Sequence, residues 1–290
     1  MDKNRFSKSW INSREEYDKY SRSNILLERM KLEKKKFTRI IDLGSGNASF
    51  LRWCYFVGLN FDEMTLVDYD KKLMNDFYPK TKSFLSKYNI QLIKKSPSKF
   101  IIEKNQHHSE RIINLKLSDL NNVLNEINNY DIISLSAILD IASKKLIHDL
   151  FSLLSNKKIL YFSICFDGTI KFIPIDIYDK YIISNFNQHQ SSDKSFGYAL
   201  GKDGIKYATA LAKKNFFKVK TKDSSWYIDS KNSENKIFCK LYLDTIYKAL
   251  RKDHMVDRDM LDKWYFTKKE VIQSGKINIR VGHKDILIET

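Results

Sequence analysis

The chain has 290 residues, 51 Lys and Arg against 35 Asp and Glu for a formal charge of +16, and a composition of 42% hydrophobic, 13% aromatic and 30% charged residues. That balance supports a sizeable core on a well-solvated surface and excludes a largely disordered chain, and the length suits one α/β domain carrying insertions. The three cysteines, Cys54, Cys165 and Cys239, are isolated and form no C-x-x-C pair, which excludes a zinc site or a disulfide framework and fits a reducing cytoplasm.

The basic residues are spread along the whole length, as in Lys31–Lys36, Lys94–Lys99, Lys157–Lys158, Lys213–Lys222 and Lys268–Lys269. Lysine, isoleucine and asparagine are abundant together, as a coding bias towards A and T would produce. A solvated basic surface is therefore favoured over a polyanion-binding one, and nucleic acid is a possible partner but not the favoured one. The opening MDKNRFSKSW has no apolar signal core, and no stretch reaches about 18 uninterrupted apolar residues, so no membrane partner is expected.

In chain order, residues 13–36 read as a helix with apolar positions at Ile25, Leu26, Met30 and Leu32. RIIDL (39–43) is a short apolar strand, broken by a glycine turn and followed by helical Ala48–Val57. MTLVDYD (64–70) is a second strand with a helical stretch after it through Leu85. RIINLKL (111–117), YDIISLS (130–136) and KILYFSICF (158–166) supply three more, with Ser143 as N-cap of a helix Lys144–Leu154. Gly168–Gly204 reads as an inserted loop and short helix. FFKVKTKDSSWYI (216–228) and INIRVGHKDILIE (277–289) are late strands flanking a helical region from about Ser233 to Ser274. Strands alternating with helices predict an α/β fold: a Rossmann-like, doubly wound, mostly parallel seven-stranded sheet with helices on both faces and inserted helical lid segments. The predicted organisation is a helical segment over 1–37, then one domain over 38–290 with insertions at about 167–215 and 230–275.

DLGSGN (42–47) sets Gly44 and Gly46 at the carboxyl end of the first strand, just before a helix, where open α/β sheets bind ligands. Glycine lets the backbone approach a ligand closely, and the helix start offers unpaired N–H groups. Asp68 ends the second strand, where a carboxylate can accept hydrogen bonds from both hydroxyls of a ribose. A dinucleotide fingerprint would need glycine at position 49, where Ser49 stands, and no P-loop lysine follows.

Over roughly residues 38–166 these motifs resemble the class I S-adenosylmethionine-dependent methyltransferases. The resemblance implies S-adenosylmethionine as cofactor, its methionine part held by Asp42, Gly44, Ser45, Gly46 and Asn47 and its ribose by Asp68. It also implies that Asp119, with Leu120 beside it, faces the adenine amino group, although an aspartate before LNNVL is equally an ordinary N-cap. SREEYDKYSRS (13–23) looks like the N-terminal helix of small bacterial methyltransferases, in which an arginine reaches the methionine carboxylate; Arg22 is the first candidate and Arg14 the second. FNQHQSSDKSFGYALG (186–201) and SWYID (225–229) are similar to an uncharacterised bacterial subgroup.

SLSAILDIAS (134–143) follows the fourth strand, where residues of this family face the transferred methyl group, so Ser136 and Asp140 are candidates there. Asp140 is equally placed to be a solvent-facing loop residue. No Asn-Pro-Pro motif is present, which weakens a nucleobase or protein-amide target. His189 sits in NQHQ with Asp193 and Lys194 close behind, a polar cluster able to bind a substrate or take its proton. The catalytic candidates are thus Asp140 and His189. Adjacent His107 and His108 lack metal-ligand spacing, and no metal is expected. His283 reads as structural; Trp226, Tyr227 and Trp264 read as core packing or as an aromatic wall for a cationic methyl centre. The expected activity is methyl transfer to a small-molecule acceptor, with RNA methylation and non-catalytic cofactor binding as the alternatives.

Overall fold

The computed structural model describes residues 8–32, 38–104, 110–192 and 197–290. His107, His108, Asp193 and Lys194 lie outside the described residues. Two helices open the chain, α1 (Lys8–Ser21) and α2 (Asn24–Leu32), in place of one continuous helix. They are split at Arg22 and Ser23, and α2 buries Leu26, Leu27 and Met30 while Ile25 and Leu32 face outward.

The sheet follows in the predicted alternation: β1 (Arg39–Leu43), α3 (Ser49–Val57), β2 (Glu63–Asp68), α4 (Lys71–Asn75), α5 (Phe77–Ser86), β3 (Ile90–Lys94), β4 (Lys99–Lys104), β5 (Arg111–Leu117), β6 (Ile132–Ser136), α6 (Lys144–Leu153) and β7 (Ile159–Ile173). The remainder is α7 (Asp179–Gln190), α8 (Gly204–Lys214), β8 (Lys218–Asp223), β9 (Trp226–Asp229), α9 (Ser233–Leu250), α10 (Arg258–Gln273) and β10 (Asn278–Glu289). Ser143 caps α6 as its sequence position suggests, accepting the Leu146 N–H at 3.2 Å.

One ten-stranded sheet runs in the order β3-β4-β5-β2-β1-β6-β7-β10-β8, with β9 beside β10. β5, β2, β1, β6 and β7 are parallel; β10 runs antiparallel between β7 and β8. These seven are the strands expected of the doubly wound fold. The β3–β4 hairpin and β9 add three more. Chain order reverses between β1 and β6, and the crevice at their carboxyl ends is the topological switch point where such sheets bind ligands.

Helices cover both faces. α6 and α8 pack over one, with Leu146, Leu150, Ala208 and Ala212 against Ile133, Leu135 and Leu160. α2, α3 and α5 cover the other, where Phe50, Trp53 and Phe77 meet Ile40, Met64 and Tyr161. A third core has no counterpart in the main sheet: the far half of β7 and near half of β10 extend as a ribbon, joined by β9, whose Phe166, Phe172, Trp226 and Ile279 pack with α7, α9 and α10. α8 lies in the stretch read from sequence as an insertion, yet it packs on the main sheet, whereas α7, α9 and α10 belong to the accessory core. Among the described residues no helix is long and apolar enough to cross a membrane.

Candidate functional site

The loop after β1 turns through three left-handed residues, Gly44 (φ 75°), Gly46 (φ 55°) and Ala48 (φ 69°), and lifts away from the sheet before α3 begins. Gly44 is needed on two counts: its φ, and a Cβ there would come within 2.5 Å of Ile138 Cδ1. The N–H groups of Gly44 and Ser45 both reach the Val67 carbonyl at 2.9 Å, tying the loop to the end of β2. Asp68 completes the tie, accepting from the Gly46 N–H at 2.7 Å and the Asp70 N–H at 2.8 Å. Burial pushes its carboxyl above the ordinary range, and these backbone donors oppose the rise. Asp68 therefore shapes the glycine loop, and each of its oxygens has a further lone pair for a ligand.

Asn47 is held from three sides. Arg52 donates to its carbonyl at 2.7 Å and its side-chain oxygen at 2.9 Å, and its amide reaches Asn12 on α1 at 3.0 Å. Arg52 is itself buried, pairing with Glu15 of α1 and bonding Thr81. Burial works to raise the Glu15 pKa, but the Arg52 hydrogen bond and charge outweigh it and leave it lowered. α1 is thus fastened across the glycine loop at one end. At the other it joins the accessory core, where Tyr17 stacks on Phe238 at 4.1 Å and Asp18 accepts the Trp226 indole N–H at 3.1 Å.

Two opposite charges meet the base of this crevice. Asp42 is 1% exposed, and neither of its carboxylate oxygens has a hydrogen-bond partner in bonding geometry. Burial pushes its pKa up to about 7, with the adjacent Ser134 hydroxyl and the Arg22 guanidinium pulling against the rise. Arg22, 3% exposed at the break between α1 and α2, makes only long bonds to Ser163 Oγ (3.3 Å) and Ser136 Oγ (3.4 Å) and lies over the Trp53 ring at 5.2 Å. Neither charge has an ion-pair partner among the described residues, although isolated buried charges are costly.

The other candidates fall as follows. Asp119 is the N-cap of the short 3-10 helix Leu120–Asn122, accepting from the Asn121 N–H at 2.9 Å, and it stands just past the carboxyl end of β5. Leu120 is 4% exposed and packs into the main core. The Asp140 carbonyl accepts the Gly201 N–H and the Ala142 carbonyl the Leu200 N–H, both at 2.8 Å, so the 198–203 segment lies along the loop that follows β6. His189 is near the end of α7, its carbonyl accepting from Ser192. A Cβ on Gly201 would meet Ser191, so the end of α7 that carries His189 also lies against the 198–203 segment. Trp226 and Trp264 are core residues, and Tyr227 is 68% exposed, so they do not form one aromatic wall. His283 is buried against Trp226 at 4.5 Å, and burial lowers its pKa to about 3.

Sequence reading passed over Asp285 and Arg52. Asp285 is 0% exposed and sits inside β10, a charged residue within KDILIE at a position whose neighbours alternate into the cores. It accepts from Tyr161 Oη at 2.6 Å, Ser23 N at 2.8 Å and Ile164 N at 2.8 Å. An acid in the middle of an otherwise apolar strand was the available signal.

No family model and no curated protein matches the chain. Among solved structures it is similar to the YcgJ protein from Bacillus subtilis, at 14% identity and TM-score 0.47 over 91% of this chain and 95% of that one. It is also similar to a SAM-dependent methyltransferase from Archaeoglobus fulgidus, at 13% identity and TM-score 0.43 over 97% and 99%. A mycolic acid cyclopropane synthase solved with SAH and CTAB matches at 12% identity and TM-score 0.42 over 91% and 84%. At such identities, what the crevice does follows from its own residues.

Proposed function

We propose that the chain is an S-adenosylmethionine-dependent methyltransferase acting on a small-molecule acceptor. The observation that carries this reading is the pair of buried, opposite charges Asp42 and Arg22, neither with an ion-pair partner among the described residues, beside a glycine loop at the topological switch point. An α-amino acid end complements both: its ammonium meets Asp42, and its carboxylate meets Arg22. Gly44 and Gly46 leave room for the chain between them and the ribose, whose hydroxyls fall to Asp68. Asp119 stands at the end of β5 for the adenine, and the Asn47 side chain is presented by Arg52.

S-adenosylmethionine supplies a methyl group activated by its sulfonium, so the protein's work is to align the acceptor and exclude water. Ser136 at the end of β6 accepts from Arg22 and so borders the carboxylate end of the cofactor. The coverage by α1 on one side and the 198–203 segment on the other supports a small acceptor over an extended one. Where the acceptor is an amine or a hydroxyl, Asp140 and His189 are the residues on that covered side able to take its proton.

Calorimetric titration of the native chain, R22A and D42N with S-adenosylmethionine tests the reading. Binding by the native protein, weakened about tenfold or more in each variant, is expected from losing one charge-assisted contact of roughly 1.5–3 kcal/mol. A folded native protein that binds no S-adenosylmethionine at millimolar concentration would sink it.

A further inference from the structure

The geometry points to Asp285 as a positioning residue that sets selectivity for the cofactor's carboxylate, by fixing both the main chain of Arg22 and the hydroxyl that Arg22 grips. This deepens the cofactor reading above and rests on it. β7 and β10 lose register at two places, between Val281 and His283 and between Lys284 and Ile286; at the second, Phe162 pairs with Ile286 and Cys165 with Lys284, so Ser163 and Ile164 stand opposite the single residue Asp285. That is a β-bulge, a device that re-aims a side chain, and here Ile164 takes a left-handed φ of 53°. The Asp285 carboxylate holds the bulge through the Ile164 N–H at 2.8 Å. Its other oxygen holds the break between α1 and α2 through the Ser23 N–H, also at 2.8 Å.

Each of those donors adjoins a residue of the cofactor crevice. Ser23 follows Arg22 in the chain, and Ser163 precedes Ile164 and accepts from Arg22 Nε. One buried carboxylate thus anchors the backbone from which the guanidinium projects and the hydroxyl that sets its direction, linking residues 262 positions apart in sequence. No carboxylate pairs with Arg22 among the described residues, so its aim depends on this scaffold, and a displacement of about 1 Å is enough to spoil a charge-assisted contact.

The requirement is for an acceptor of several donors at once. Ile164 N–H, Ser23 N–H and Tyr161 Oη all converge on the carboxylate. The side chain in D285N has a single acceptor oxygen, and its amide group faces whichever N–H that oxygen leaves. Either the bulge or the break must then shift.

The test compares two ligands, S-adenosylmethionine and its decarboxylated form, which keeps the ammonium, sulfonium, ribose and adenine but gives Arg22 nothing to hold. Dissociation constants are measured for the native chain, D285N, R22A and the double variant. The native chain should prefer the carboxylated ligand on the order of tenfold to a hundredfold. D285N should lose most of that preference while its affinity for the decarboxylated ligand changes less than about threefold, and the double variant should discriminate no less than R22A alone. Should D285N fail to fold, D285E, which retains the charge but moves it by one methylene, carries the same comparison.

A D285N protein that weakens both ligands equally, or keeps the native ratio, overturns the assignment. Its failure is distinct from that of the cofactor reading: a native chain that binds neither ligand refutes both, whereas a native chain with the preference and a D285N variant that retains it refutes only the role of Asp285.

Discussion

Arg52 donates to both oxygens of Asn47, the carbonyl at 2.7 Å and the side-chain oxygen at 2.9 Å, while pairing with Glu15 on α1. The glycine loop and the helix across it are therefore held by one guanidinium, whose planar fork no other side chain reproduces.

R52A should lower stability by about 2–4 kcal/mol, somewhat less than for a fully buried pair because Glu15 retains partial solvent contact. Urea unfolding measures this. R52K should recover only a minor part, since an ammonium cannot serve both oxygens of Asn47 and the Glu15 carboxylate together. E15Q in the R52A background should cost little more, because the pair has already been broken.

Asp42 gives a pH dependence of known sign. Its folded pKa of about 7 lies above the ordinary 3.8, so the folded state binds the extra proton between those values. Its stabilising contribution is complete below about pH 4 and is lost as pH rises through 7, by up to about 4 kcal/mol. Unfolding of the ligand-free protein at pH 5 and pH 8 should show that decline in the native chain relative to D42N, which has no proton to lose. Cofactor affinity should run the other way, rising from pH 5 to pH 8, because the ammonium requires the ionised carboxylate. Parallel pH curves for native and D42N would refute the assignment.

The two loop glycines should respond unequally to alanine. Both adopt positive φ, but a Cβ at Gly44 meets Ile138 Cδ1 whereas one at Gly46 meets open space. G46A should cost roughly 1–2 kcal/mol from backbone strain alone. G44A should cost more, as Ile138 must also move, and thermal unfolding of the two variants side by side decides it. Equal losses would show that Ile138 yields freely.

The main sheet and the loop were legible because they are local: RIIDL alternates with turn signals nearby, and glycines at the end of an apolar strand have few other uses. The break in the first helix was not, because Ser23 interrupts it through a bond to Asp285 far along the chain. The β3–β4 hairpin escaped notice as well. Its Leu92, Phe100 and Ile102 are buried, but the polar residues between its strands resemble a loop. Asp42 and Arg22 were each recognised singly, while their common lack of an ion-pair partner among the described residues is a property of the packed crevice. Ser136 and Ser163, which share Arg22, are brought together only by pairing of β6 with β7.

The bulge opposite Asp285 also orders events in time. β10 lies between β7 and β8, so β7 lacks its second neighbour and β8 its partner until the residues from Asn278 onward have emerged from the ribosome. Arg22 waits for Asp285, made long after it, before it is aimed. A nascent chain can assemble β1, β2 and the glycine loop early, but the pocket becomes selective only after β10 has been made, and chains stopped before Asn278 should be poor sinks for the cofactor.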